Sequence, residues 1–290
     1  MIVLVIYPII QKLVMDKLSL ILDRLSVTAG VFFSGEMCGL AHFDGTAQNE
    51  GHIHLLASGR MDVIDDNGDV IKLDKPSVIF FPKPSIHRLR AKESDNAKVV
   101  CASIRYGADT SNPLTNALPG MVTLDFVENE YVLATVNGLF EEAFHDRDGK
   151  QLLIDRLTEV IIVHLLRTVI SKGIGYQGVL AGLAHHQLAR VIIKLHESPA
   201  EPWTLESMSE LAFMSRSKFT EEFRRVVGQT PGDYLIDWRV SVAQSELKKG
   251  KPVSVVANEV GYENSSALSK AFKRKTGLSP SAWLKTYLQH

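Results

Sequence analysis

Apolar and polar positions alternate in short bursts over the first third of the chain. Between about 27 and 106 the runs VTAGVFF, MCGLAHF, HIHLLASG, RMDVIDD, VIKL, SVIFFP, HRLRA and KVVCASIRY are β-branched or aromatic. Asp-Gly, Asn-Gly and Lys-Pro pairs separate them, as turn chemistry separates strands. Asp66-Asn67-Gly68-Asp69 reads as a tight hairpin turn. Eight evenly spaced strands predict a small antiparallel barrel or jelly roll.

The period then lengthens. Leu152, Leu157, Val160, Ile161, His164, Leu165 and Thr168 recur at helical spacing, so two helices are predicted at about 130–145 and 150–172. The second is apolar on more than one face, which predicts burial between the barrel and another surface, such as a second protomer. Gly173, Gly175 and Gly178 predict a hinge, and everything beyond Leu183 reads as helix.

Residues 204–228 read as helix, three-residue turn, helix. Leu205, Met208, Leu211 and Ala212 share a face; Phe213-Met214-Ser215 turns the chain, with Ser215 as cap. The next helix, Arg216–Val227, stops at Gly228. Phe219, Phe223 and Val226 fall on its inner face, and Ser217, Thr220, Glu221 and Arg224 on the opposite one. The pattern repeats over 252–277. Val253, Val256, Ala257 and Val260 form a face, Gly261-Tyr262-Glu263 turns, and Asn264 caps. Leu268, Ala271 and Phe272 then point inward, and Ser266, Ser269, Lys270 and Lys273 outward. The two units share F-R-R-x-x-G-x-x-P (223–231) and F-K-R-K-x-G-x-x-P (272–280), an internal repeat of about 49 residues. One long helix, Gly232–Lys249, joins them with Trp238, Val242 and Leu247 inward. Such a helix holds two recognition helices about one DNA turn apart, near 34 Å.

Charge supports that division. The chain carries 32 Lys and Arg against 33 Asp and Glu, a net charge of −1. Residues 1–184 hold 17 basic and 22 acidic side chains, and residues 185–290 hold 15 and 11. An acidic half precedes a modestly basic one, a pattern that fits a polyanion-facing module.

Residues 185–288 resemble the DNA-binding domain of the AraC/XylS transcription regulators. Val256-Ala257, Val260-Gly261-Tyr262, Phe272, Gly277 and Pro280 match the second-motif signature; Leu268 stands where that family usually has an aromatic. The resemblance implies a DNA-binding regulator without catalysis. Double-stranded DNA is the expected partner, RNA polymerase a further candidate, and a homodimer through the helices of 120–172 the expected assembly. Base-edge contacts are expected from Ser217, Thr220, Glu221 and Arg224, and from Ser266, Ser269, Lys270 and Lys273. Arg225 and Arg274 are expected on phosphate. Glu221 either accepts from cytosine or pairs with Arg225 along the helix.

In the β-rich half, Gly45…His52-Ile53-His54 and Pro82-x-Pro84-x-x-His87 resemble the two motifs of the cupin barrel, which bind a divalent metal. The glutamate expected after the second histidine is absent, with Ser58 and Gly59 in its place, and Pro84 replaces a glycine. Hydrogen-bonded barrel histidines are the plain alternative to a metal set of His52, His54 and His87. The missing glutamate also argues against the rival class, a cupin enzyme fused to a DNA-binding tail. Cys38, His54, His87 and Cys101 further resemble the sensor half of AraC-type regulators that respond to reactive chlorine species. The shared stretches are His54–Gly59, Ser85–Leu89 and Val100–Arg105. That resemblance implies an oxidant taken by a thiolate beside a histidine and resolved by the second cysteine. A small organic effector, a metal ion, or two buried structural cysteines are the alternatives.

The expected chain is α+β and multidomain: an N-terminal extension and lead-in (1–24), a cupin-like antiparallel sensor barrel (25–110), a helical dimerisation region (120–172), a linker (173–184) and an all-α domain with tandem helix-turn-helix motifs (185–290). Two cysteines without a CxxC fit a reducing cytoplasm. Met15 is the expected natural start, with the apolar residues 1–14 as an upstream extension or, alternatively, a peripheral membrane anchor.

Overall fold

The structure, a computed structural model, describes residues 16–44, 49–109, 112–126, 130–172 and 177–287. The 1–14 extension, Gly45 and the hinge glycines Gly173 and Gly175 lie outside the described residues.

Among the described residues, nine strands make two antiparallel sheets. The five-stranded sheet runs β1 (Thr28–Met37), β8 (Ala97–Arg105), β3 (Gly51–Ser58), β6 (Ser77–Phe81), β9 (Val122–Asp125). The four-stranded sheet runs β2 (Gly39–Asp44), β7 (Ile86–Ala91), β4 (Met61–Ile64), β5 (Val70–Leu73). The eight expected strands are present, and the hairpin at Asp66–Asp69 closes with Asp65 N–H donating to Asp69 O at 3.1 Å. β9 was not foreseen. Its four residues, VTLD, carry too little pattern to be separated from a loop.

The apolar runs of β3, β6 and β8 hardly alternate because both faces of that sheet are covered. Inward, Leu56, Phe81, Val99 and Cys101 meet Met61, Val63, Leu73 and Leu89 of the other sheet. Outward, Ile53, Leu55, Val78, Val100, Ala102 and Ile104 join a second core that holds Ile154, Ile161, Leu165 and Val169. Those four belong to α4 (Lys150–Ser171), which lies against β1 and α3 (Glu130–Ala143). α4 also closes the open edge of the sheet. Beside a register break in β1, Val31 N–H donates to Asp155 Oδ1 at 2.7 Å, and Gln151 Nε2 donates to Val31 O at 2.9 Å.

The C-terminal half is helical: α5 (Val179–Ala184), α6 (Leu188–Glu197), α7 (Leu205–Leu211), α8 (Arg216–Val227), α9 (Pro231–Lys248), α10 (Val253–Glu259), α11 (Ser265–Thr276) and α12 (Pro280–Tyr287). Here the expected linker 173–184 is corrected. Val179, Leu180 and Leu183 of α5 are buried in the same core as Val191 and Ile192 of α6, and Gly178 N–H donates to Val226 O at 3.1 Å. Residues 177–184 therefore belong to the helical domain.

The lead-in is corrected as well. α1 (Lys17–Leu25) is amphipathic, capped by Asp16, and buries Leu18, Ile21 and Leu25 between the two halves. Lys17 Nζ donates to Leu183 O at 3.0 Å, and the hydroxyls of Ser26 and Ser245 bond at 3.1 Å. α2 (Pro113–Asn116) also touches α9. Gly107 sits where the pieces converge: its N–H donates to Leu25 O at 2.7 Å, and a Cβ there would lie 2.7 Å from Ser245 Oγ. Among the described residues no helix is long and apolar enough to cross a membrane.

Candidate nucleic-acid interface and sensor site

The first helix pair forms as its capping residues dictate. Ser207 N–H donates to Thr204 Oγ1 at 3.1 Å at the start of α7, and Lys218 N–H donates to Ser215 Oγ at 3.4 Å at the start of α8. α8 buries Phe219, Phe223 and Val226, with Phe223 edge-on to Tyr234 of α9 at 5.6 Å. In the second pair Ala267 N–H donates to Asn264 Oδ1 at 2.9 Å, and α11 buries Leu268 and Phe272 completely. Leu268 thus fills the place of the aromatic without exposing a gap to solvent. α9 buries Trp238, Val242 and Leu247, as expected for a rigid connector.

The two turns are not identical. Phe213 and Gly261 both adopt a left-handed φ, +54° and +84°, one residue beyond the helix C-cap. In each motif the next residue reaches back: Met214 N–H donates to Ser209 O at 3.0 Å, and Tyr262 N–H to Ala257 O at 2.8 Å. Ser215 follows Met214 directly, whereas Glu263 intervenes before Asn264. The second turn is one residue longer, so the repeat offset of 49 holds only from the cap onward. Glycine takes the left-handed conformation freely; a side chain there costs on the order of 1–2 kcal/mol.

Of the expected DNA contacts, Ser217, Glu221, Arg224, Arg225, Ser266, Lys270, Lys273 and Arg274 are exposed, and Thr220 and Ser269 half-buried. Ser217, Thr220, Glu221, Arg224 and Arg225 line one open concavity of about 810 Å³ together with Leu205 and Arg216. Arg216 was missed, although its place directly after the cap Ser215 was legible. Thr220 Oγ1 donates to Arg216 O at 2.9 Å. One pairing is corrected: Arg225 binds Glu222, with Nη2 2.6 Å from Oε1, rather than Glu221. Position 222 lies toward His185, whose Nδ1 accepts from the N–H groups of Gln187 and Leu188 at 3.3 and 3.2 Å. That leaves Nε2 to carry the proton and donate to Glu222 Oε1 at 3.1 Å. The Arg225 hydrogen bond, with His185 adding to it, pulls Glu222 down to about 2.

At the barrel mouth, antiparallel pairing sets the geometry. β3 places His52 opposite Ser103 and His54 opposite Cys101. β7 supplies His87, opposite Phe43 of β2. The nitrogens of His52, His54 and His87 lie within 4.8 Å of one another, and the Nε2 atoms of His54 and His87 share a hydrogen bond of 2.8 Å. His87 is stacked between Phe81 and Phe43, with centroids at 4.0 and 5.2 Å. Burial holds His54 well below the ordinary histidine range, pushes His87 down to about 4, and lowers His52. Three neutral imidazoles within mutual reach suit a nitrogen-seeking divalent ion, and the buried Nδ1 atoms of His52 and His54 have no protein partner. The group contains no carboxylate. His52 also opens into a cavity of about 490 Å³ lined by Phe32, Phe43, Ser103, Arg105 and Glu50, none of them foreseen because they converge only through strand register.

The cysteine expectation is corrected in part. Cys101 faces inward beside His54 but is 2% exposed among Met37, Leu56 and Val99, and burial pushes its thiol up to about 12. It is not an activated thiolate. Cys38 is exposed at the β1–β2 turn rather than inside the barrel. Met37 pairs with Ala97, so Cys38 stands at least four strand residues from Cys101, about 13 Å.

Comparison with known proteins completes the picture. A cupin family model matches residues 16–171, and a helix-turn-helix domain model matches residues 208–286. The HTH-type transcriptional regulator AlkR of Acinetobacter baylyi is 28% identical over 84% of this chain and 84% of its own length. The RCS-specific HTH-type transcriptional activator RclR of Escherichia coli K12 is 29% identical over 78% of this chain and 81% of its own. Among solved structures, the DNA-binding domain of AdpA in complex with a target DNA is 34% identical over 36% of this chain and 94% of that one, with a TM-score of 0.34. ToxT of Vibrio cholerae O395 is 16% identical over 89% and 97%, with a TM-score of 0.40.

Proposed function

As a chain that belongs to the cupin family over residues 16–171 and continues into the helix-turn-helix domain of AraC-like regulators, this protein binds DNA to regulate transcription, and we propose that its signal is received at the barrel mouth. It is a regulator and not an enzyme. In this reading α8 and α11 enter successive major grooves. Ser217, Thr220, Glu221, Arg224, Ser266, Ser269, Lys270 and Lys273 face base edges, and Arg225 and Arg274 face phosphate. RNA polymerase is the further partner, and the cytoplasm the place of action.

One observation carries the signal site: three buried, clustered histidines, of which His52 and His54 each keep an unpartnered Nδ1 and His52 lines an open cavity. His52, His54 and His87 would hold a divalent ion, or an effector with hydrogen-bonding groups would occupy the cavity. Either must bind two conformations of the protein unequally to act. The test measures DNA affinity of the full chain with and without Zn²⁺, Ni²⁺ or candidate effectors. A His54→Gln variant is expected to keep basal DNA binding and lose the response. A response retained in that variant overturns this placement.

The second reading is an oxidant, favoured by the exposed Cys38 and by the relative whose name specifies RCS. A Cys38–Cys101 disulfide needs Cα atoms within about 7 Å, so β1 would have to leave its register first. Non-reducing mass spectrometry after hypochlorite reports that link, and a normal transcriptional response in Cys38→Ser removes this reading.

Dimerisation through 120–172 is supported by the outward side of α4, where Leu152, Leu153 and Val160 are exposed. Sedimentation of Val160→Glu against the parent chain tests it, with a monomer expected from the variant.

A further inference from the structure

Several cations of the helical domain are held in ion pairs: Lys194 with Glu197 at 2.7 Å, Arg225 with Glu222 at 2.6 Å, Lys249 with Glu246 at 2.9 Å, Lys251 with Glu259 at 2.8 Å and Lys275 with Asp237 at 2.5 Å. On the outer faces of α8 and α11, Arg216, Lys218, Arg224, Lys270, Lys273 and Arg274 are exposed, with no ion pair among the described residues. Arg190 lies on α6, away from both recognition helices, yet it shares this state: exposed, with no ion pair or hydrogen bond among the described residues.

Its one close neighbour of note is unusual. The Arg190 guanidinium lies 5.2 Å from the centroid of the Phe213 ring. Phe213 is 73% exposed and holds a left-handed φ of +54° where the second motif uses Gly261. A large apolar side chain is thus kept in water, on backbone that disfavours it, two residues before the cap of α8. That is the end of a recognition helix that enters the groove, with a phosphate strand alongside.

The pair is fixed to α8 rather than loosely attached. Gln187 Nε2 donates to Ala212 O at 3.0 Å, tying α6 to the carbonyl just before Phe213. His185 caps the start of α6 and binds Glu222 of α8. Arg190 is one turn further along the same helix. A guanidinium stacked on a ring face keeps its edge N–H groups free for two-pronged contact with an oxyanion.

We propose that Arg190, held against Phe213, contacts a backbone phosphate beside the groove that receives α8, extending the DNA surface beyond the two recognition helices. Phe213 orients the guanidinium and covers the adjoining deoxyribose. The contact carries no sequence information; it sets register and adds one phosphate to the footprint. It rests on α8 being a recognition helix, and the controls keep the two ideas apart.

The test is fluorescence anisotropy of the full chain on a short random-sequence duplex, over salt from about 50 to 200 mM. Each neutralised phosphate adds about 0.9 to the slope of log affinity against log salt. Arg190→Met is expected to make the slope shallower by about 0.9, while Lys194→Met, on the same helix and paired with Glu197, leaves it unchanged. Phe213→Gly is expected to weaken binding while keeping or raising Tm, because glycine relaxes the turn. A parent-like slope in Arg190→Met overturns the proposal, including the case where Tm falls and Arg190 merely supports the turn. Parent-like binding in Phe213→Gly overturns the role of the ring. Arg225→Met, the phosphate contact assigned to α8 itself, is the reference: if it too keeps the parent slope, the placement of α8 fails instead.

Discussion

Lys248, on the helix that joins the two DNA-reading motifs, gives its ammonium to the backbone carbonyl of Tyr106 at 3.0 Å. The contact crosses from the helical domain to the end of β8. The same ammonium lies 3.8 Å from the Tyr287 ring centroid and 5.4 Å from that of Trp283, both on α12. The Tyr106 hydroxyl in turn donates to Pro82 O at 2.9 Å, next to the Phe81 ring that stacks on His87. The barrel mouth and the second motif are thus joined by a short series of packed groups.

Burial lowers Lys248 to about 8, against a smaller opposing effect of Asp109. Between pH 8 and the ordinary lysine range the unfolded chain holds the extra proton, so this group makes stability rise with pH over that window. The gap in Tm between the parent chain and Lys248→Met is expected to move in favour of the parent from pH 8 to about 10.4. A gap that stays constant would show that the ammonium is not buried there.

Gly107→Ala is expected to destabilise the chain by about 1–3 kcal/mol through overpacking. The added carbon would lie 2.7 Å from Ser245 Oγ, 2.8 Å from Ser26 Cβ and 3.0 Å from Leu25 O. Adding Ser245→Ala removes the nearest of these atoms and should recover part of the loss in urea denaturation. Equal midpoints for the single and double variants would count against the close approach.

The two thiols should differ in rate. Native chain treated with a maleimide is expected to label at Cys38 alone, and at Cys101 only in denaturant, since Cys101 is buried and held near 12. Peptide mapping reads both; comparable native rates would refute the inward placement of Cys101.

His196 predicts acid sensitivity. Its Nε2 is 2.5 Å from the Tyr234 hydroxyl, its ring stacks on Trp238 at 3.8 Å, and burial pushes it down to about 3. Below about pH 6.5 the unfolded chain gains a proton that the folded chain refuses, so stability falls on acidification, by about 1.4 kcal/mol per pH unit at most from this group. His196→Gln keeps a partner for Tyr234 and should flatten the parent's slope between pH 6.5 and 4 in urea titrations. Identical slopes would argue that His196 is not buried neutral.

Local chemistry made the helical domain legible. Ser215 and Asn264 cap where expected, and the inward positions Phe219, Phe223, Leu268 and Phe272 follow from the helical period. The strands of the barrel were legible for the same reason, being punctuated by turn residues. What stayed hidden depends on partners distant in sequence. α1 reads as a free amphipathic helix until Leu183 and Ser245 are seen beside it. Cys38 and Cys101 looked convergent because no local signal states that Met37 pairs with Ala97. Glu221 and Glu222 differ by one position, both within reach of Arg225 along the helix, and no local signal states that His185 sits beside Glu222.

The connector α9 is 18 residues long, about 27 Å, and is gripped by Tyr106 at one end and by Lys275 through Asp237 nearer the other. It behaves as a ruler with a fixed phase. One residue inserted into it would lengthen it by only about 1.5 Å but swing the second motif by about 100° around its axis. An operator for this protein should therefore tolerate base changes between its two contacted segments far better than insertions or deletions of a single base pair there.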